Sequence, residues 1–143
     1  MQVRAIVKQD AETLAGMEEA CFVEFWSQGQ IAGSIARADF CGVIAEDNGR
    51  AVGYILGTCL FEDAEIARIA VIEDYRKQGV GKSLMDGFCT IVKEKGAEKV
   101  FLEVRKSNFP AVSLYEKCGF SPTRVRERYY LDGEDALEMK INL

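Results

Sequence analysis

The sequence predicts an α/β fold in which helices flank a mixed, mostly antiparallel sheet. Segments with the apolar alternation of β-strands are interspersed with longer segments whose apolar residues recur at helical spacing. Three consecutive strand segments in the middle of the chain are joined by tight polar turns, which makes those strands antiparallel neighbours. The predicted order is β-α-α-β-β-β-α-β-α-β-β.

An edge strand is predicted at residues 2–7. A first helix follows Asp10, because the next apolar residues keep helical spacing: Leu14, Met17, Cys21 and Phe22. Ser27 and Gln30 have the spacing of a capping box for a short second helix, which its two glycines weaken.

The middle of the chain predicts a three-stranded antiparallel meander. Residues 40–46 and 51–61 form a hairpin, because an Asn-Gly pair lies in the turn between them. An acidic turn then leads to a third strand at residues 65–72.

A long helix is predicted after the polar loop at residues 73–78. It carries a single apolar stripe: Val80, Leu84, Phe88, Ile91 and Val92. Gly96 ends this helix as a C′ glycine, and a strand follows at residues 99–104.

The last part of the chain predicts one more helix and a hairpin. Asn108 caps the helix, which reaches Lys117. Residues 120–130 and 136–143 pair as the hairpin around an Asp-Gly turn. We expect the helices to cover the sheet in one α/β layer.

Composition narrows the possible functions. The chain has 143 residues, 48% of them hydrophobic and 29% charged, as expected of one globular domain spanning residues 1–143. A net charge of −5 without a basic tract argues against a direct nucleic-acid partner. Five cysteines occur without a CxxC motif or any histidine, so no metal is expected. The chain shows neither an apolar run that could span a membrane nor a signal peptide, so we expect a cytoplasmic location and no membrane partner.

The segment YRKQGVGKSLMDG, residues 75–87, has the ending of a phosphate-binding P-loop. A Walker A loop begins with a glycine, but Arg76 stands at that position, so an ATP site is not supported. The segment instead runs from a strand through Arg76-x-x-Gly79-x-Gly81 into a helix. Helix N-termini attract anions, and glycines let a phosphate approach the backbone. On the residues alone, a pyrophosphate site and a plain strand-to-helix turn are equally favoured.

This spacing matches the Q/R-x-x-G-x-G/A signature of the GNAT superfamily of acyl-CoA-dependent N-acyltransferases, which the strand order also resembles. The resemblance implies a GNAT-like fold, with acetyl-CoA as co-substrate. It also implies that the loop binds the pyrophosphate of coenzyme A, over seven residues: Arg76, Lys77, Gln78, Gly79, Val80, Gly81 and Lys82.

Further segments resemble the ribosomal-protein-alanine N-acetyltransferase (RimI) family. They are IAV at 69–71, LEVRKSN at 102–108, LYEKCGF at 114–120 and RYY at 128–130. The segment CFVEFWS at 21–27 is similar to the family's aromatic segment, but Phe25 stands where the family usually has proline. The resemblance implies acetylation of a protein N-terminus, such as that of a ribosomal protein beginning with alanine or serine.

Two residues are candidates for proton transfer. Glu103 by residue type alone is an ordinary exposed strand glutamate. The resemblance implies that it is the general base, acting through a water, because an α-amine with a pKa of about 8 must lose a proton. Tyr115 by spacing alone packs on the sheet, and the resemblance implies that it meets the sulfur and protonates the leaving thiolate.

Four further residues are candidates for binding the pantetheine arm of coenzyme A. Asn108 alone indicates an N-cap, to which the resemblance adds a hydrogen bond to pantetheine. The backbone of Ile69, Ala70 and Val71 would pair with pantetheine as an extra strand, and the Val71 N–H would face the developing oxyanion.

Three aromatic residues are candidates for the acceptor side. Tyr129 and Tyr130 fit a peptide entrance and β-propensity in a hairpin equally well, and Trp26 fits either the core or a substrate wall. Six acidic residues are expected to be solvated: Glu18, Glu19, Glu24, Glu62, Asp63 and Glu65.

Two alternatives keep the fold and change the function. One is acetylation of a small-molecule amine, which the LEVRKSN and RYY segments disfavour. The other is a non-catalytic acyl-CoA-binding subunit, which the presence of Glu103 and Tyr115 disfavours. An acyl-enzyme on Cys118 lacks a histidine to activate the thiol, so we expect direct attack in a ternary complex.

Overall fold

The computed structural model describes all 143 residues and confirms the predicted order of helices and strands. The strands are β1 Gln2–Ala5, β2 Phe40–Asp47, β3 Arg50–Leu60, β4 Asp63–Val71, β5 Lys99–Arg105, β6 Ser121–Arg126 and β7 Ala136–Asn142. The α-helices are α1 Ala11–Cys21, α2 Gln28–Ile35, α3 Val80–Glu94 and α4 Phe109–Lys117. None of these helices is long and apolar enough to cross a membrane.

Local sequence signals account for several element boundaries. The Ser27 side chain accepts a hydrogen bond from the Gln30 N–H, and the Gln30 side chain accepts one from the Ser27 N–H, which completes the predicted capping box of α2. Asn48 and Gly49 have φ angles of 51° and 81° in the β2–β3 turn, as a type I′ hairpin requires. Gly96, with a φ of 99°, ends α3 as predicted.

The strands form one seven-stranded sheet in the order β1-β2-β3-β4-β5-β7-β6. Every neighbouring pair is antiparallel except β4 and β5, which are parallel. The meander of β2, β3 and β4 is therefore confirmed. The last strand of the chain, β7, lies between β5 and β6.

The helices lie on both faces of the sheet, so the prediction of a single helical layer was wrong. α3 and α4 cover one face, over a core that includes Val43, Ile66 and Met139. α1 and α2 cover the other face, over Ile44 and Leu56. Adjacent residues of β2 and β3 are apolar on both faces, and burying both faces requires a helical layer on each side.

The last hairpin is shorter than predicted, and its connection is longer. β6 ends at Arg126, so Tyr129 and Tyr130 lie in the β6–β7 loop (residues 127–135) and not in a strand. The extended backbone is interrupted because Arg128 has a left-handed φ of 51°. The interpretation of the two tyrosines as residues of a β-hairpin strand was therefore wrong.

β4 and β5 separate halfway along their length. Their pairing covers only residues 63–66 of β4 and 99–102 of β5. Ala67 comes next and is a β-bulge, an extra residue without a partner on β3. A bulge bends its strand, and the rest of β4, residues 68–71, diverges from β5. The result is an opening between two neighbouring strands.

Gly57 on β3 allows the backbones to approach closely at the bulge. A Cβ atom at this position would overlap the carbonyl oxygen of Glu65 on β4. It would also lie 2.9 Å from Cζ of Phe88 on α3. The absent side chain therefore lets both the bulged strand and the helix pack against β3.

Replacing Gly57 with alanine should lower the free energy of unfolding by about 1–3 kcal/mol, because the added methyl group overlaps atoms that cannot all move. Gly33→Ala is a matched control inside α2, where an added Cβ has nothing within 4 Å. That change should raise stability by about 0.5–1 kcal/mol. Urea unfolding followed by circular dichroism measures both, and wild-type stability in Gly57→Ala would contradict this account of the bulge.

Candidate active site

The free edge of β4 carries two N–H groups that point into the opening. Ile72 N–H donates to the Val52 carbonyl oxygen at 2.9 Å, which fixes the direction of the N–H groups along β4. Because these groups alternate sides along a strand, the Ala70 N–H faces β3 and those of Ile69 and Val71 face the opening. Ile69 and Val71 can therefore pair with an extended ligand, whereas the Ala70 N–H cannot.

The loop before α3 presents a run of unpaired N–H groups. None of the six from residue 77 to residue 82 donates to a backbone acceptor. Lys77 and Gly79 have left-handed φ angles of 61° and 84°, and such turns direct neighbouring N–H groups into an anion-binding concavity. α3 begins at Val80, so its first-turn N–H groups and its dipole add to the same site.

Two positively charged side chains near this loop already have partners within the protein, so they are less free to bind a phosphate than the sequence indicates. Arg76 Nε donates to the Val71 carbonyl oxygen at 2.9 Å, which ties the loop to the free edge of β4. Lys82 Nζ lies 2.9 Å from Asp86, and this hydrogen bond raises the pKa of Lys82. The predicted phosphate site therefore rests mainly on backbone N–H groups.

The two glycines of the loop are needed for different structural reasons. Gly79 has the left-handed φ noted above, with open space where a Cβ would be. Gly81 permits helix packing, because a Cβ there would lie 2.9 Å from Cδ2 of Leu114 on α4. Contact between α3 and α4 is thus a reason for Gly81 that the sequence analysis missed.

Asn108 caps α4 as predicted. Its Oδ1 accepts a hydrogen bond from the Ala111 N–H at 3.3 Å. Capping uses the oxygen of the amide only, so the Nδ2 group remains free to donate. The two predicted roles of Asn108 are compatible.

Glu103 lies on β5, one residue beyond the last position that pairs with β4. It points to the face that carries α1 and α2, because Leu102 and Val104 belong to the core under α3. Arg126 Nε lies 2.9 Å from Oε1 of Glu103, as an ion pair whose angle does not suit a hydrogen bond. The Tyr129 hydroxyl donates to Oε2 at 3.2 Å. Both carboxylate oxygens are therefore held in place.

Tyr115 lies on α4 and is buried, with its ring 6.1 Å from that of Phe120. Burial raises the pKa of Tyr115, and the nearby Tyr130 adds to the shift. Burial also raises the pKa of Tyr130, and Glu103 is among the neighbours that add to that shift. The Tyr130 ring lies 5.1 Å from that of Tyr129, whose hydroxyl bonds to Glu103. That Glu103 and Tyr115 serve one site stays a prediction.

Arg105 holds the β6–β7 loop in position. Its guanidinium lies 4.1 Å from the centre of the Tyr130 ring. It also forms ion pairs with Asp132 and Glu134, at 2.8 and 3.0 Å. These contacts hold Tyr130 and the loop, while Tyr129 is held by its hydrogen bond to Glu103. The acceptor-side role of the two tyrosines stays a prediction.

An open groove of about 770 Å³ runs along the same face of the sheet as Glu103. Trp26 lines one wall and Arg126 the other, with Phe101 on the floor. The Trp26 ring is also partly packed against the core under α1 and α2. Trp26 is therefore partly a core residue, and its role as a substrate wall stays a prediction.

One charge prediction was wrong. Five of the six acidic residues expected to be solvated are exposed, but Glu18 on α1 is completely buried. Its partners include Arg68, 50 positions further along the chain. The sequence analysis also missed Arg126, whose contact with Glu103 depends on the register of β6, β7 and β5. Neither partnership leaves a local sequence signal.

A sheet that opens between two parallel strands, with an amide-lined anion loop at the end of one of them, is the architecture of an acetyl-CoA-dependent N-acetyltransferase. The comparisons with known proteins agree. The model of the acetyltransferase (GNAT) family matches residues 8–120. The chain belongs to the GNAT family of acetyltransferases.

Three named acetyltransferases are similar to this chain. A Bacillus subtilis protein, provisionally named ribosomal protein bS18-alanine N-acetyltransferase, is 33% identical over 99% of this chain and 95% of its own. An N-alpha-acetyltransferase of Sulfurisphaera tokodaii is 40% identical over 67% of this chain and 65% of its own. The crystal structure of the Escherichia coli ribosomal-protein-S18-alanine N-acetyltransferase superposes with a TM-score of 0.90, at 27% identity, over 99% of this chain and 92% of that chain.

Gly79→Ala should weaken coenzyme A binding about ten-fold, because a left-handed backbone costs a non-glycine residue about 1–2 kcal/mol. The loop would relax and turn its N–H groups away from the anion. Gly96→Ala is the matched control, with a φ of 99° at the other end of α3. Isothermal titration calorimetry measures both affinities, and equal losses in the two variants would contradict the assignment of residues 77–82 to the phosphate.

Proposed function

We propose that this enzyme acetylates the α-amine of a protein N-terminus, with a ribosomal protein beginning with alanine or serine as acceptor, in the cytoplasm. The observation that carries the proposal is the position of Glu103. It stands beside the strand opening, on the face of the sheet that also carries the open groove of about 770 Å³. The names of the Bacillus subtilis and Escherichia coli relatives support the ribosomal acceptor.

Glu103 removes a proton from the acceptor ammonium through a water. The α-amine has a pKa of about 8 and is mostly protonated at neutral pH, so attack on the thioester of acetyl-CoA requires a base. Arg126 and Tyr129 orient the carboxylate. No histidine is present in the chain, so the base is another titratable group, and Glu103 is our candidate.

Tyr115 donates a proton to the leaving thiolate. Its raised pKa keeps the phenol protonated at neutral pH, which is the state a general acid needs. The Val71 N–H faces the opening and donates to the oxygen that gains negative charge during attack. Asn108 Nδ2 and the N–H groups of residues 77–82 hold the donor in register, so amine and thioester meet directly in a ternary complex.

Acceptor choice can be tested with purified protein, acetyl-CoA and a panel of short peptides beginning Ala-Arg, Ser-Arg or Met-Lys. A peptide beginning with acetyl-Ala is the matched control, since its α-amine is blocked. We expect acetylation at free alanine or serine termini only, located by mass spectrometry. Small amines belong in the same panel. Modification of small amines alone would overturn the peptide acceptor and leave the family assignment intact.

Glu103→Gln should lower kcat about 10²–10⁴-fold, the usual contribution of a general base. The KM for acetyl-CoA should stay at the wild-type value, because the carboxylate does not contact the donor. Glu98→Gln, at an exposed position just before β5, is the control that removes one charge and should leave the rate unchanged. Steady-state kinetics at saturating peptide measure these effects, and a wild-type kcat in Glu103→Gln would assign the base elsewhere.

Tyr115→Phe should lower kcat about 10²-fold by removing the proton donor. The folded-state pKa of Tyr115 is raised above its ordinary value of 10. The protonated phenol, and the activity that depends on it, should therefore persist as the pH rises to 10. A pH profile of kcat checks this result. A basic limb below pH 10 that disappears in Tyr115→Phe would contradict the protonation state proposed here.

A further inference from the structure

A buried charge cluster underlies the loop between α1 and α2. Glu18 on α1 is fully buried and receives hydrogen bonds from three different parts of the chain. Arg68 Nη2 donates to its Oε1 at 2.7 Å, the Trp26 backbone N–H donates to the same oxygen at 2.9 Å, and the Tyr54 hydroxyl donates to Oε2. Burial, together with this bond to Glu18, raises the pKa of Tyr54, so the phenol stays protonated as a donor.

Arg68 also holds the loop itself, residues 22–27, which we call the α1–α2 loop. Its Nη2 donates to the Glu24 carbonyl oxygen at 3.0 Å. Its guanidinium lies 3.9 Å from the centre of the Phe22 ring and 5.3 Å from that of Trp26. The loop is thus attached to the sheet through one arginine and through the carboxylate that this arginine pairs with.

The point of attachment lies beside the proposed reaction site. Arg68 directly follows the Ala67 bulge, where β4 diverges from β5, and it precedes Ile69, whose N–H faces the opening. The loop places Trp26 on the groove wall and leaves Val23 and Phe25 exposed. Any displacement of the loop would therefore change the groove wall next to the strand opening.

Stability alone is a poor explanation for this cluster. Apolar side chains of similar volume often stabilise a fold as well as a buried ion pair does, because desolvating two charges offsets much of their attraction. A buried pair is better suited to fixing one geometry among several. Here it fixes the geometry of a loop that otherwise makes few polar contacts with the sheet.

We propose that the Glu18–Arg68–Tyr54 cluster is a positioning device for acceptor binding, which holds the α1–α2 loop in the conformation that receives the first residues of the acceptor peptide. This role rests on the proposed function, because it concerns a peptide acceptor. The cluster does not touch the reacting atoms. Its loss therefore acts on acceptor binding and not on proton transfer.

Trp26 allows a direct test, because it is the only tryptophan of the chain. In Arg68→Met, we expect its emission to move to longer wavelength and its quenching by acrylamide to increase. The KM for peptide should rise about ten-fold, the cost of about one charge-assisted hydrogen bond. The KM for acetyl-CoA and kcat at saturating peptide should keep their wild-type values.

Arg4→Met is the matched control. Arg4 is also a partly buried arginine with two carboxylate partners, Asp10 and Glu46, but it lies near the other end of α1. It should change neither Trp26 emission nor the peptide KM. Tyr54→Phe, which removes one hydrogen bond and keeps the ring, provides a milder test should Arg68→Met fold poorly.

The double variant Glu18→Leu with Arg68→Met separates positioning from packing. It removes both charges together, so we expect thermal stability to recover relative to Arg68→Met, while the peptide KM stays high. Recovery of the peptide KM along with stability would overturn the proposal, as would a wild-type peptide KM in Arg68→Met. Failure of the wild-type enzyme to acetylate any peptide would instead overturn the proposed function and the acceptor-binding role of the cluster with it. The Trp26 emission would then still report whether the cluster holds the loop.

Discussion

The separation of β4 from β5 is the constraint on which the rest of this structure depends. Unpaired backbone N–H groups in a protein interior are costly, yet the β4 edge leaves those of Ile69 and Val71 without partners. One inserted residue, Ala67, produces the separation, and Gly57 gives it room. An edge of this kind inside a sheet can pair with an extended ligand, and we propose that this ligand is the pantetheine arm of acetyl-CoA.

The two faces of the sheet carry different parts of the candidate site. On one face, α3 begins at the loop whose unpaired N–H groups form the proposed anion site, and α4 presents Asn108 and Tyr115. On the other face, Glu103 meets Arg126 and Tyr129 above an open groove. Donor and acceptor can thus approach from opposite sides and meet where the strands part. This arrangement is the one that the proposed direct transfer in a ternary complex requires.

The sequence predicted those features whose signals are local. The capping box at Ser27 and Gln30, the Asn-Gly turn and the loop before α3 each depend on a few adjacent residues, and all three are present. The helical layers, the burial of Glu18 and the contact of Arg126 with Glu103 depend on which strands become neighbours and in what register. These partners lie far apart along the chain, and no short segment encodes their pairing.

Amide hydrogen exchange, resolved by NMR at single residues, tests the strand opening most directly. The Ile69 and Val71 N–H groups should exchange rapidly in the free protein and slowly once acetyl-CoA is bound, because the pantetheine arm and the thioester oxygen supply their missing acceptors. Those of Ala70 and Ile72 should be protected in both states, since they bond to β3. Slow exchange at Ile69 and Val71 in the free protein, or no change on adding acetyl-CoA, would contradict the account.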